Sequence, residues 1–354
     1  MLTREQILVW LRCDDPAALK ELWQLADTAR HNGVGDAVHL RGLLEISNTC
    51  VRQCAYCGLR AGHMQLQRYR MSADEILDCA GLATRLGYGT VVLQAGEDPL
   101  LDPGDIAAIV RRIKSATSLV VTLSLGEQED ETLALWKSAG ADRYLLRFET
   151  SDPQLYQMIH PPYRNRTGDR FARLRQLRQL GYEVGSGVMA GIPGQTYQSL
   201  VRDIELFAEL DLDMIGIGPF IRHPATPLGE GALVATLLAR AGADQAPATE
   251  LMVYKMIALT RLMCPQANLP STTALATINK INGRELGLQR GANVVMPNLT
   301  PVKYRAMYDI YPDKACIGES AEDCSGCLRS RIARIGRQVG QGQGGRKREV
   351  CRKH

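Results

Sequence analysis

No stretch of this sequence is apolar for long enough to cross a membrane. Its first residues, MLTREQILVWLRCDDP, lack the apolar core of a signal peptide and read as an amphipathic helix. These absences exclude a membrane span or a membrane partner. They also place the ten cysteines in a reducing cytoplasm, where thiols serve as metal ligands and not as disulfides. Acidic residues are nearly missing from one region. Residues 329–354 hold nine Lys or Arg against one acid, Glu349, so this tail is +8 and the remainder −4 within a formal charge of +4. A basic, Gly-rich tail (GRQVGQGQGGRKREVCRKH) can touch nucleic acid or an acidic protein, but it reads here as a solvated terminus, and nucleic acid is not expected as a partner.

What is present fits one large or two ordinary domains: 354 residues, 45% of them hydrophobic. Residues 1–38 show apolar positions at helical spacing (Ile7, Leu8, Leu11; Leu19, Leu22, Trp23), broken at Asp15-Pro16 and Gly33, and are expected to form a helical cap. From residue 39 short β-rich runs alternate with amphipathic helices. The strands are expected over 43–47, 90–94, 119–124, 143–149, 183–190, 214–218, 268–273 and 292–296, the seventh interrupted by Pro270. Ser72 with Glu75 forms a capping box that opens one helix, and Gly87 ends it. Eight strands alternating with helices predict an α/β fold, a (β/α)8 TIM-type barrel over 39–300, followed by a C-terminal extension over 301–354. The Gly-, Ala- and Pro-rich connection 223–245 is a candidate lid. A helical segment is expected over 303–310.

Every second residue of a barrel strand points inward. In the fourth strand that face is Arg143, Leu145, Arg147 and Glu149, with Tyr144, Leu146 and Phe148 turned towards the helices. Glu45 and Ser47 share the inward face of the first strand, and Thr122 and Ser124 that of the third. Buried ions cost several kcal/mol each unless paired, so this interior reads either as a self-satisfied ion network or as a cavity for a polar or anionic ligand.

The sequence is organised around CVRQCAYC, residues 50–57, directly after the first strand. Cys50, Cys54 and Cys57 can close on one metal centre, and because zinc and 4Fe–4S sites normally take four protein ligands, one coordination position stays open. A zinc loop with a remote fourth ligand is the alternative. The C-x3-C-x2-C spacing, with aromatic Tyr56 before the third cysteine, resembles that of the radical S-adenosylmethionine (radical SAM) enzymes. The resemblance implies a 4Fe–4S cluster on Cys50, Cys54 and Cys57 that chelates the methionine part of S-adenosylmethionine and cleaves it reductively to a 5′-deoxyadenosyl radical. It further implies that Gly96 and Glu97 meet the methionine amino group, Arg170 its carboxylate and Glu149 the ribose or sulfonium region. Ser124 is a further cofactor contact, and adenine lies near the turn holding Ile192.

More narrowly, segments along nearly the whole chain, among them RGLLEISNTCVRQCAYCGLR, VVLQAGEDP, GADRYLLRFET, DMIGIGPFIRHPATPL and ANVVMPNLTP, resemble the radical SAM maturases that help to build the active-site cluster of FeFe-hydrogenases. That implies a small, anionic, cysteine-containing iron complex as substrate, with Arg143, Arg147, Thr272 and Thr273 lining its site. It also implies a ferredoxin or flavodoxin as electron donor and other hydrogenase maturases as partners. Methylornithine synthase and biotin synthase are similar as well. No cysteine falls on an expected strand, which argues against the internal sulfur-donating cluster of biotin synthase. A carrier that holds iron–sulfur fragments without turnover remains the non-enzymatic alternative. Cys316, Cys324 and Cys327 repeat the three-ligand theme as C-x7-C-x2-C and are candidates for an accessory iron–sulfur cluster, a zinc site or free thiols.

Overall fold

The computed structural model describes residues 1–163, 168–231 and 233–346. Thr3 caps α1 (Arg4–Arg12) with a full capping box, and Asp15 with Pro16 starts α2 (Pro16–Val34). These helices lie against the outside of the sheet's helical layer and lead into β1 (Ala37–Ser47). The chain then alternates: α3 (Ala73–Arg85), β2 (Thr90–Ala95), α4 (Pro103–Ala116), β3 (Val120–Ser124), α5 (Asp130–Ser138), β4 (Arg143–Leu145), α6 (Pro153–Ile159), α7 (Arg170–Gln179), β5 (Glu183–Ala190), α8 (Tyr197–Glu209) and β6 (Met214–Pro219). Between β6 and β7 (Val294–Val295) come α9 (Pro227–Glu230), α10 (Val234–Ala241), α11 (Glu250–Met263), α12 (Thr273–Ile278) and α13 (Gly283–Gln289). Helices α14 (Val302–Arg305) and α15 (Ala321–Arg334) and strand β8 (Gln338–Val339) follow. The candidate lid thus contains α9 and α10, and the helix expected over 303–310 stops at Arg305.

The strands pair in parallel in the order β6-β5-β4-β3-β2-β1-β7, with β8 added beside the start of β1. The curled sheet's edges meet through residues 268–270, where Asn268 bridges Met214 and Pro270 bridges Val294. This is a TIM-type α/β barrel whose seventh position is two isolated bridges and not the expected strand over 268–273. Pro270 cannot donate to a ladder, and Thr272 already caps α12.

The fourth strand is also shorter than 143–149. Beyond Leu145 the Arg147 guanidinium donates to Val188 O (2.7 Å), and Glu149 turns to a φ of 63°. The facing is as expected: Tyr144, Leu146 and Phe148 are buried, and Phe148 packs on Phe171 of α7 and Phe207 of α8.

The amino-terminal mouth of the barrel is closed by the chain after β8. Thr90 Oγ1 and Arg143 each donate to Gln343 O (both 3.1 Å), Arg41 donates to Gly344 O (2.9 Å), and Arg346 pairs with Asp211 (2.6 Å). A side chain at Gly344, where φ is 58°, would run into the His39 ring, so the strap approaches the barrel there as glycine. Residues 347–354 of the basic tail, Cys351 among them, lie outside the described residues.

Candidate active site

The cysteine loop follows β1 at the carboxyl end of the sheet, where TIM-type barrels carry their sites. It has no regular structure from Asn48 to Arg60, so its polar backbone needs other partners. Buried Asn48 supplies some, donating to Gln67 O (2.8 Å) and Met307 O (2.7 Å) and accepting from Tyr69 N (2.7 Å). Arg68 supplies more, donating to the carbonyls of Asn48, Leu59 and Arg60 at 2.7–2.8 Å. Arg70 grips Asp98, which also accepts from Ser47 Oγ (2.6 Å) and so ties the end of β1 to the turn after β2.

Cys50, Cys54 and Cys57 converge on this loop as free thiols. Burial pushes all three above the usual thiol range, Cys57 to about 12. The neighbouring cysteine sulfurs push Cys54 and Cys57 further in the same direction. Glu97 N donates to Cys50 Sγ (3.4 Å). Three thiols, Cys54 buried and Cys50 and Cys57 half-buried, that repel one another as anions, one of them already facing an N–H donor, suit a cation that replaces their protons. The donor set therefore fits an iron–sulfur cluster. Gly96 fits the same picture: a Cβ there would sit 2.3 Å from Thr49 O and 2.7 Å from Cys50 Cβ, so only glycine lets the β2 turn close on the loop.

Beside the thiols stands a wall of ion pairs. Glu97 pairs with Arg52, and Glu127 with both Arg170 (2.9 Å) and Arg52 (3.4 Å). Arg170 also donates to Arg147 O and to His160 Nε2 (2.7 Å). Burial, reinforced by Arg170 and Arg52, pulls His160 down to about 2, so its ring is neutral and accepts from Arg170. Burial lifts Glu97 despite its two arginines. Ligand atoms of Glu97, Glu127 and His160 lie within 4.8 Å of one another, but the guanidiniums already occupy the carboxylates.

Of the expected cofactor contacts, Gly96, Glu97 and Arg170 come together at this wall. Glu149 lies buried next to it, paired with Arg147 (3.0 Å). Ser124 ends β3, in register with Gln94. Tyr56 and Ile192 belong to an apolar cluster behind the loop that also holds Ala55, Leu155 and Ile159.

Below the wall, an internal cavity of about 50 Å³ is lined by Arg41, Leu145, Arg147, Met214, Asn268 and Thr272. Arg147 and Thr272 therefore face the interior as expected. Thr273 opens helix α12, and its carbonyl accepts from Thr277 Oγ1 (2.9 Å). Arg143 is a correction. As the first residue of β4 it sits at the opposite end of the barrel, spent on Glu183 (2.7 Å), Thr90 (3.0 Å) and the strap carbonyl of Gln343. It shares a face with Arg147, but strand alternation fixes the face and not the depth.

Sequence reasoning singled out neither Arg52, Glu127 nor His160. Arg52 sits inside the cysteine motif and Glu127 just after β3, at strand-end positions where a charged residue is itself a signal. His160 carries none. The inward-facing Glu45 meets a partner from far along the chain, Lys314 (2.8 Å), with Asn298 donating to its other oxygen (2.9 Å).

The second cysteine group is only partly assembled. Ligand atoms of Cys316, Glu319 and Cys324 lie within 4.8 Å of one another, while Cys327, one turn further along α15, is exposed. Hydrogen bonding to Cys324 draws Cys316 down to about 6 and pushes Cys324 up.

Residues 44–207 match the Radical SAM superfamily. Over 346 residues, 98% of this chain and 94% of the relative, the sequence is 45% identical to the "[FeFe] hydrogenase maturase subunit HydE" of Thermotoga maritima. The chain belongs to the HydE family of radical SAM enzymes. With that membership come a 4Fe–4S cluster and S-adenosylmethionine. A 3-methylornithine synthase of Methanosarcina barkeri is 29% identical over 85% of this HydE-family chain and 80% of its own length. The crystal structure of methylornithine synthase (PylB) superposes with a TM-score of 0.78 at 24% identity, covering 96% of this chain and 95% of that one, which shows the shared barrel. No helix among the described residues is long and apolar enough to cross a membrane.

Proposed function

We propose that this chain is a cytoplasmic FeFe-hydrogenase maturase that cleaves S-adenosylmethionine reductively and acts on a small anionic iron complex carrying cysteine. The observation that carries the reading is three thiols on one loop, Cys54 buried and Cys50 and Cys57 half-buried, beside a carboxylate–guanidinium wall at the carboxyl ends of the strands. When bound, the cluster on Cys50, Cys54 and Cys57 together with S-adenosylmethionine supplies the one-electron cleavage that yields a 5′-deoxyadenosyl radical.

The chain's own residues bind, orient and exclude water. Glu97 and the backbone at Gly96 accept from an ammonium group. Arg170, steered by Glu127 and His160, offers its guanidinium to a carboxylate. In this reading Glu149 meets the ribose hydroxyls or the sulfonium region, Ser124 is a further cofactor contact, and Tyr56 and Ile192 provide the apolar surround. Arg147, Thr272 and Thr273 turn donors towards an anionic substrate. Electrons come from a ferredoxin or flavodoxin, and other hydrogenase maturases supply and receive the iron fragment. The barrel over 39–300 is the catalytic unit in this reading, with 1–38 as cap and 301–354 as extension.

The test is anaerobic reconstitution with iron and sulfide, followed by assay of 5′-deoxyadenosine and EPR with and without S-adenosylmethionine. Cleavage with a perturbed 4Fe–4S signal is expected. A spectrum indifferent to S-adenosylmethionine and no cleavage would return the chain to the carrier or zinc readings. Failure of a cysteine-containing iron complex to bind the reconstituted enzyme would remove the substrate assignment alone.

A further inference from the structure

The cysteine loop has an outer face as well as an inner one. Between Thr49 and Met71 the sequence carries Arg52, Arg60, His63, Arg68 and Arg70 and not one Asp or Glu. Arg52 and Arg70 are neutralised from within the barrel by Glu97 and Asp98. Arg68 spends its donors on loop carbonyls, and Arg60 Nε has no partner among the described residues. Nearby Arg222 donates to Gly229 O (2.7 Å) and meets no carboxylate among the described residues. The neighbouring acids on this side are Glu230, exposed at the end of α9, and Asp309, which pairs with His223 (2.9 Å) beside Gly58. Three guanidiniums without a carboxylate partner, against Glu230 and an Asp309 already engaged by His223, leave this face positive, although the chain outside its tail is net negative.

The charge surrounds an apolar hollow. A surface cleft of about 340 Å³ is lined by Gln53, Ala55, Arg60, Met158, Pro227 and Leu233, thus by the cysteine loop, the end of α6 and the start of the α9–α10 segment. Its floor is thin. Ala55 is clamped between two backbones, donating to Ile159 O (2.7 Å) and accepting from Leu228 N (3.0 Å), and the next residue inward along the chain is Cys54. Behind it the packed cluster of Leu155, Ile159, Ile192, Leu228 and Leu237 makes the floor rigid. An apolar centre with a cationic rim is the surface that a protein of opposite charge recognises, and here it lies one residue from a cluster ligand.

We infer that this cleft is the docking site of a small acidic protein that carries one electron and delivers it through the Ala55 wall. The inference rests on the radical SAM reading above. The donor loses one electron and the cluster gains one, and no bond forms or breaks in the transfer. Rim charges of this kind act through steering, so the encounter is faster at low ionic strength and weakens as the screening length falls to about 8 Å at physiological salt.

Flavodoxin serves as the probe, with the reconstituted enzyme. Its affinity is measured at low and at physiological ionic strength, alongside the rates at which reduced flavodoxin and dithionite reduce the cluster. Arg60→Glu and Met158→Asp are each expected to weaken flavodoxin binding and slow flavodoxin-driven reduction at least tenfold, and to leave the dithionite rate unchanged. The two variants lie on different elements, so local damage to the loop by one is not repeated by the other. Unchanged flavodoxin affinity in both variants overturns the inference, as does equal slowing with dithionite in both. It is likewise overturned if the variants weaken binding of another maturase and leave flavodoxin untouched. If dithionite drives no S-adenosylmethionine cleavage in the unmodified enzyme, the functional reading falls first and the docking site with it.

Discussion

The two ends of this barrel bury the same kind of residue for different purposes. At the carboxyl end Arg52 and Arg170 are set against Glu97 and Glu127, and the group lies beside three thiols. At the amino end Arg143 pairs with the one nearby carboxylate, Glu183, and the other hydrogen bonds of Arg41 and Arg143 go to Thr90, to backbone carbonyls of the strap and to the sulfur of Met214, leaving Arg41 Nε without a partner among the described residues. Burial, and then Arg143 beside it, pushes the Arg41 guanidinium well below its ordinary value. The upper set is balanced by acids that a cationic or zwitterionic ligand can engage, whereas the lower set is capped by peptide groups that nothing else needs. A buried arginine therefore marks a site only together with what it is paired to and which end of the strands it occupies.

The largest expected effect is at the upper end. Cys54→Ala should abolish 5′-deoxyadenosine formation with the barrel still folded by circular dichroism, and unchanged turnover would refute the cluster assignment. Next, Arg170→Ala should weaken S-adenosylmethionine binding by about tenfold or more, the loss of a charged hydrogen bond of about 1.5–3 kcal/mol. Equal affinity in calorimetry would move the carboxylate contact elsewhere. At the lower end, ending the chain at Gly340 removes the carbonyls of Gln343 and Gly344 and the Arg346 pair. It should lower stability by about 2–3 kcal/mol, read as a lower urea midpoint, while S-adenosylmethionine affinity stays within a factor of about two. Weakened binding there would join the two ends that the comparison separates.

The smallest effect is in pH dependence. His160 is held neutral in the fold down to about 2, whereas the unfolded chain protonates it near 6.5. Its contribution to stability is thus present above pH 6.5 and is lost as pH falls below it, because the unfolded state binds the proton. His160→Gln keeps an acceptor for Arg170 and removes that proton, so its melting temperature should fall less between pH 7 and pH 5 than that of the parent. Parallel slopes would show that His160 protonates in the fold.

Much of this was legible. The cysteine spacing, the Ser72–Glu75 box and the alternation of Tyr144, Leu146 and Phe148 with their charged neighbours follow from local rules, and local rules show in sequence. What escaped depends on contacts between distant parts. Only bridges stand where a strand was expected: Asn268 and Ser271 bond to Asp213 O and Val294 O on either side, but Pro270 cannot donate and Thr272 already caps α12. Lys314 reaches Glu45 across 269 residues. Arg143 was assigned to the substrate site because a shared face says nothing of height along the barrel axis, and the strap that occupies it lies 200 residues away.

That strap also bears on how the protein is made. Residues 338–346 leave the ribosome after every barrel strand they touch, so the nascent barrel has its walls before it has a floor. Until those residues arrive, the guanidiniums of Arg41 and Arg143 face solvent and the start of β1 offers an unpaired edge. A chain halted just short of β8 would be an open-ended barrel, recognisable to a chaperone or protease by the edge that the last strand was due to cover.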